Sequence, residues 1–233
     1  NIKIWDELFA LKESRVVQLC QGLRPYDLNI WAYARVDTVT EKMLYAMKDA
    51  GINWLAYGFE NASASVRDAD KNFAESKMAK AIKWTREAGI NIMGNFMFGL
   101  PGETEETARA SLDFAKSQLF EFVNFYVAMP YPGSRWWDQT KPGVEWSDFD
   151  QYGQNKSPWF AFRDKALIDY LSNPAYQSMV KQRFGDPGLS EIKKMLAFRF
   201  RRAGESHAVQ QETKDALLHR PRNEKGKHAK NVQ

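Results

Sequence analysis

Twice in this chain a helical stretch closes on Ala-Gly-Ile-Asn and passes directly into an apolar strand. The two segments are KDAGINWLAYGFE (Lys48 to Glu60) and REAGINIMGNFMFGLPGE (Arg86 to Glu103). A glycine just past the last helical residue ends a helix in the left-handed conformation, and the apolar run behind it reads as a buried strand. Gly51 and Gly89 stand 38 residues apart, about the length of one strand–helix unit. Two such units in tandem require parallel strands joined by crossover helices.

The same reading extends in both directions. Ile2 to Trp5 has the character of a strand end, and Ser14 to Leu23 carries the apolar stripe of an amphipathic helix (Val16, Val17, Leu19, Cys20, Leu23). Asn29 to Arg35 is a short aromatic strand. Thr40 is an N-cap, with Glu41 in the first turn of a helix that runs to Ala50. Trp54 to Glu60 is a strand, 61–73 a polar loop, and Glu75 to Ala88 a helix. Asn91 to Leu100, rich in Phe, Met and Ile, reads as a strand buried on both faces. Pro101-Gly102 breaks it, Glu103, Glu105 and Glu106 open a helix to about Ser117, and Phe122 to Met129 is a final strand. The order β-α-β-α-β-α-β-α-β predicts the α/β class, as an open or partial parallel barrel of about five strands over residues 1–134.

After Pro132 the character changes. Residues 135–204 are aromatic-rich and punctuated by Pro142, Gly143, Gly153 and Pro158, with helices expected at about 160–171 and 189–202. The aromatic cluster from Trp136 to Phe162 reads foremost as a seam between barrel and helical cap. Residues 205–233 lack apolar periodicity and read as a disordered tail. The net charge of +4 resides there: from Arg201 onward eight basic residues face four acidic ones, leaving 1–200 neutral. A nucleic-acid partner is therefore not indicated for the folded part. All three histidines, His207, His219 and His228, lie in this tail, so no histidine-based metal or acid–base site is expected in the folded part.

Cys20 is the single cysteine, which excludes an internal disulfide and any multi-thiolate metal site built from this chain alone. No apolar run reaches the roughly 18 residues of a membrane helix, and NIKIWDELF is not a signal peptide, so a cytoplasmic location is expected. The sequence opens without Met in mid-strand, as expected for a fragment lacking its N-terminal part. The free edge at Ile2 to Trp5 would then favour aggregation.

In a parallel barrel functional side chains gather where strands exit toward the loops. Those positions hold Asp6 and Glu7, Arg35 and Asp37, Glu60 and Asn61, Gly99 to Glu103, and Pro130 to Ser134. They suit a polar ligand, and equally the charged rim that any exposed strand end carries.

The motifs at these exits carry a family resemblance. ARVDTVTEKMLYAMKDAGINWLAYGFENAS resembles the radical S-adenosylmethionine (radical SAM) core, with its Arg-x-Asp and its strand ending in Gly-x-Glu. GNFMFGLPGETEET resembles the following strand and turn, YVAMPYPGSRWW the PYPGT closure, and 162–202 the helical region of cobalamin-binding radical SAM proteins. The resemblance implies a partial (β/α)6 barrel with a C-terminal α-helical extension. It implies S-adenosylmethionine and a 4Fe–4S cluster as cofactors, a small-molecule substrate and an electron donor. The cluster's Cys-x3-Cys-x2-Cys loop is absent, so its ligands, like any cobalamin domain, would lie outside this chain, which alone would be inactive. By the same resemblance Glu60 would meet the ribose or methionine part of S-adenosylmethionine, and Arg35 its carboxylate or an ion pair with Asp37 or Glu60. The strand containing Gly94, Asn95, Phe98 and Gly99 would lie against adenine. Gly58-Phe59-Glu60-Asn61-Ala62-Ser63 departs from the family's Gly-x-Glu-Ser-Gly-Ser, and PYPGS from PYPGT. No catalytic residue is assigned. The implied activity is methyl transfer or rearrangement on a biosynthetic metabolite. The alternatives are a methylthiotransferase-like enzyme acting on RNA and a non-catalytic α/β binding module.

Overall fold

Thr40 and Thr104 show how local chemistry sets the element boundaries. Each hydroxyl accepts an amide hydrogen bond from the residue three positions on, Met43 and Thr107, and so starts a helix. The computed structural model describes residues 1–6, 8–67, 74–140, 149 and 157–197. In chain order the elements are β1 (Ile2–Lys3), α1 (Glu13–Leu23), β2 (Ile30–Ala34), α2 (Glu41–Asp49), β3 (Ile52–Glu60), α3 (Glu75–Glu87), β4 (Asn91–Phe98), α4 (Glu105–Gln118) and β5 (Phe122–Val127). The sheet order is β1-β2-β3-β4-β5, and every neighbouring pair is parallel. Sequential parallel strands with crossovers of one hand put all the helices on one side. The sheet therefore curls into a half-barrel, an α/β fold of the partial TIM-like kind. β1 pairs with β2 alone, so its other edge has no neighbour among the described residues.

Residues 1–144 and 156–199 form one compact unit. A second comprises 145–155 and 200–233, of which only Phe149 is described. The expected disordered tail, 205–233, lies outside the described residues, as do 198–202 of the second expected helix and Trp146 and Tyr152 of the aromatic stretch.

Burial alternates along the strands. In β4, Ile92, Gly94, Phe96 and Phe98 are buried, whereas Asn91, Met93, Asn95 and Met97 are only half-buried. This corrects the expectation of two buried faces: the helices cover the outer face, and the inner face is open to whatever fills the barrel. Phe59 stacks on Phe96 and Phe120, at 5.5 and 5.0 Å between ring centres, and meets the edge of Phe114 at 6.0 Å. These four rings join β3 and β4 to α4.

Tyr57 and Thr85 tie β3 to α3, with 2.8 Å between their oxygens. The Thr85 hydroxyl donates to the Ala81 carbonyl at 2.6 Å, so the phenol must be the donor in the shared bond. Removing the phenol leaves Thr85 satisfied, whereas removing the threonine oxygen leaves a buried phenol without its acceptor. Tyr57→Phe is expected to cost about 1 kcal/mol and Thr85→Val about 1–3 kcal/mol. Urea unfolding of both variants checks the order.

Three further helices follow: α5 (Arg135–Thr140), α6 (Trp159–Leu171) and α7 (Pro174–Ala197). α5 was not among the expected elements. Fifteen residues before the helix expected from about 189, helical structure already begins at Pro174. Asn173 caps it, its side-chain oxygen accepting from the amides of Ala175 and Tyr176, and proline at the first helical position needs no amide partner. Gly185, at φ 70 and ψ −169, is non-helical and divides this span into two helices, of which the second corresponds to the helix expected from about 189. Trp159, Phe160 and Phe162 pack on the β4–β5 end against Val127, Met129 and Phe98, as a seam between barrel and helical region would.

α6 and α7 also grip the strand starts. Tyr170 and Tyr176 donate to the carbonyls of Phe120 and Glu121. The buried Glu121 carboxylate accepts from the Ile92 amide at 2.7 Å and pairs with Arg183, which also bonds Asn91. Phe184 stacks on Trp54 at 5.8 Å.

Candidate active site at the strand exits

Parallel register places inner-face residues in layers. Ala34 pairs with Tyr57, so Arg35 is level with Gly58, and Gly58 pairs with Asn95, which pairs with Asn124. This layer near the exits of β2 to β5 therefore carries a guanidinium, a glycine without a side chain, and two amides. The amides are joined, with Asn124 Nδ2 donating to Asn95 Oδ1 at 2.9 Å and to Met93 sulfur at 3.3 Å.

Arg35 engages Asp37 through Nε and Nη2, at 3.0 and 2.9 Å. These two hydrogen bonds hold the Asp37 carboxyl below the usual carboxylate range. Of the two readings open for Arg35 in the sequence, the ion pair with Asp37 is therefore present. It uses one edge of the guanidinium, and a planar guanidinium has a second edge suited to a carboxylate.

Glu60 ends β3 in an uncommon conformation. The register slips between Gly58 and Glu60, a β-bulge, and Glu60 takes φ 60. The Asn61 amide donates back to the Phe59 carbonyl at 2.8 Å, closing a three-residue turn with Glu60 at its centre. Bulges re-aim side chains, and left-handed non-glycine residues persist where the surroundings over-determine them.

Phe98 and Gly99 sit elsewhere. Phe98 is fully buried on the helix side, stacked on Phe125 at 5.2 Å and edge-on to Phe162 at 4.9 Å. Gly99, at φ 88, lies under Trp159: an added Cβ would come within 2.8 Å of that ring, and its amide donates to Glu103. Gly94 likewise faces Phe96 and Phe120. The structure thus sets Arg35 and Asn95 in one inner layer with Glu60 at the neighbouring strand exit. Phe98, Gly94 and Gly99 belong to core packing and turn geometry.

The sequence named Asn61 only as a strand-exit residue and did not single out Arg67, Lys3, Trp31 or Tyr33. Asn61 is fully buried and Arg67 is 5% exposed. On the inner face of β1 and β2 the Lys3 ammonium lies 3.4, 4.0 and 5.3 Å from the ring centres of Trp5, Trp31 and Tyr33. Strict alternation in IWAYA was the available signal for Trp31 and Tyr33. Among the described residues no cluster of three or more His, Cys, Asp or Glu could hold a metal ion, and no helix is long and apolar enough to cross a membrane.

Residues 2–115 match the radical SAM superfamily. An uncharacterized methyltransferase of Pyrococcus horikoshii is 32% identical over 141 residues, covering 59% of this chain and 31% of the relative. The bacteriochlorophyllide d C-8(2)-methyltransferase of Chlorobaculum tepidum is 24% identical over 235 residues, covering 92% and 51%. The anaerobic magnesium-protoporphyrin IX monomethyl ester cyclase of Rubrivivax gelatinosus is 26% identical over 152 residues, covering 63% and 27%. The chain thus spans between about a quarter and a half of the length of these relatives. Motifs, barrel order and relatives agree: through residues 2–115 this chain belongs to the radical SAM superfamily.

Proposed function

We propose that this chain forms the S-adenosylmethionine-binding wall of a radical SAM enzyme that transfers a methyl group to a biosynthetic small molecule. The observation that carries the reading is Glu60, a carboxylate held left-handed on a bulge at the exit of β3. In this reading it accepts hydrogen bonds from the ribose hydroxyls or the amino group, since an ionised carboxylate offers acceptors only. Arg35 takes the methionine carboxylate with the guanidinium edge that Asp37 leaves, and the Asn95–Asn124 pair presents amide groups to the adenine edge. A carboxylate, a guanidinium and amides on neighbouring strands match the polar groups of that ligand.

The residues present do not fit an iron–sulfur cluster. Cys20 is the chain's single cysteine; it is buried in α1, and burial pushes its thiol up to about 11, away from the thiolate that binds iron. The cluster ligands, and cobalamin if the enzyme uses it, come from outside these residues in our reading, together with an electron donor. Methyl transfer is favoured over rearrangement because two of the relatives above are methyltransferases by name.

The test is calorimetric titration of the full-length protein with S-adenosylmethionine. Glu60→Gln keeps the shape and removes the charge, and is expected to weaken binding about ten- to hundredfold, the range for a hydrogen bond to a charged group. Unchanged affinity would overturn the reading.

A further inference from the structure

Asn61, next to Glu60, uses all four of its polar groups while fully buried. Its amide donates to Phe59, and its carbonyl accepts from Arg67 Nη1 at 3.0 Å. Its side-chain oxygen accepts from the Ser63 amide at 2.8 Å, and its side-chain nitrogen donates to Glu103 Oε1 at 2.5 Å. Arg67 also holds the Ala62 carbonyl at 2.8 Å, and the Ala62 amide donates to the buried Ser111 hydroxyl of α4 at 2.9 Å. Glu103 turns its other oxygen to the amides of Gly99 and Leu100, at the exit of β4. Burial pushes the Glu103 carboxyl up against the pull of these donors.

One buried asparagine thus joins, through its main-chain carbonyl, a cation that fixes the loop after β3 and, through its side-chain amide, an anion that fixes the turn after β4. The residue between loop and strand is Glu60, whose φ of 60 is unfavourable for a non-glycine residue. A loop needing only satisfied hydrogen bonds could relax that residue into an extended conformation. Here, with Glu60 in the left-handed arrangement, the main-chain amides and carbonyls of both Asn61 and Ala62 are hydrogen-bonded.

We infer that Asn61, Arg67 and Glu103 are positioning residues that lock Glu60 in its ligand-facing turn and couple it to the β4 exit. The inference rests on the reading of Glu60 as a ligand for S-adenosylmethionine. It assigns Glu103 of the GLPGE turn to a role beyond helix initiation, and it makes the β3 and β4 exits one unit. Touching no ligand itself, each of the three acts through the geometry of Glu60.

A double-mutant cycle on the full-length protein tests it, with S-adenosylmethionine affinity by calorimetry and folding by thermal unfolding read separately. Asn61→Ala is expected to weaken binding about tenfold or more in the wild-type background. In the Glu60→Gln background it should change affinity less than about twofold, because the group it positions has already lost its charge. Glu103→Gln, which keeps the shape but is a poorer acceptor for three donors, serves if Asn61→Ala does not fold, and follows the same pattern with a smaller loss. If Glu60→Gln weakens binding but neither second-site variant does, or if their losses are equal in both backgrounds, the positioning role is overturned while Glu60 stays a ligand. Full affinity in Glu60→Gln overturns both readings.

Discussion

On the reading of Glu60 as a ligand for S-adenosylmethionine, glycine in its place should leave the fold as stable as before while removing the carboxylate's contribution to binding. The left-handed conformation costs a non-glycine residue about 1–2 kcal/mol, and glycine is relieved of it. Glycine also gains freedom in the unfolded chain, which offsets about 0.5–1 kcal/mol. The net change in stability is therefore within about 1 kcal/mol, in a protein whose Glu60 sits at φ 60. The lost carboxylate should weaken binding at least as much as Glu60→Gln does, about ten- to hundredfold. Alanine is the control: it loses the carboxylate and keeps the strain. Urea unfolding and calorimetric titration under one set of conditions separate the two quantities. A glycine variant destabilised by more than about 2 kcal/mol would mean that the carboxylate holds the turn rather than a ligand.

The second large effect lies at the opposite end of the strands. The Glu121 side chain is 1% exposed, and Arg183 pairs with it while remaining 38% exposed. Replacing Arg183 with methionine keeps most of the bulk against Phe184 and strips a buried carboxylate of its charge partner. Breaking such a pair from one side costs about 3–5 kcal/mol, and water reaching this position argues for about 3. Glu121→Gln combined with Arg183→Met should recover part of the loss, because a neutral amide oxygen still accepts from the Ile92 amide. The midpoints of urea unfolding give both values, and a single-variant loss under about 1 kcal/mol would reduce the pair to an ordinary surface contact.

The barrel portion was legible because its signals are local. Gly51 and Gly89 close their helices at φ 86 and 74, Thr40 caps α2, and Pro101-Gly102 ends β4, each as the residues dictate. The helical region was less legible. The helix before Gly185, with its Asn173-Pro174 cap and first turn, was passed over. Among the candidate site residues, Arg35, Glu60 and Asn95 could be located by strand position. Phe98 and Gly99 could not be sorted from them: a motif does not say which face a residue takes, and Trp159, 60 residues away, decides the surroundings of Gly99. Asn61, Arg67 and Glu103 assemble only in three dimensions, since Asn61 and Glu103 are 42 residues apart in the chain.

The alternation of β4 bears on how such a chain evolves. Ile92, Phe96 and Phe98 hold the helices in place and tolerate little change, while Met93, Asn95 and Met97 take little part in that packing. Mutations on the inner face therefore carry a small folding penalty and act mainly on what the barrel admits. A lineage can drift through inner-face sequences without crossing unfolded intermediates, and so acquire a new substrate while the outer face stays under selection.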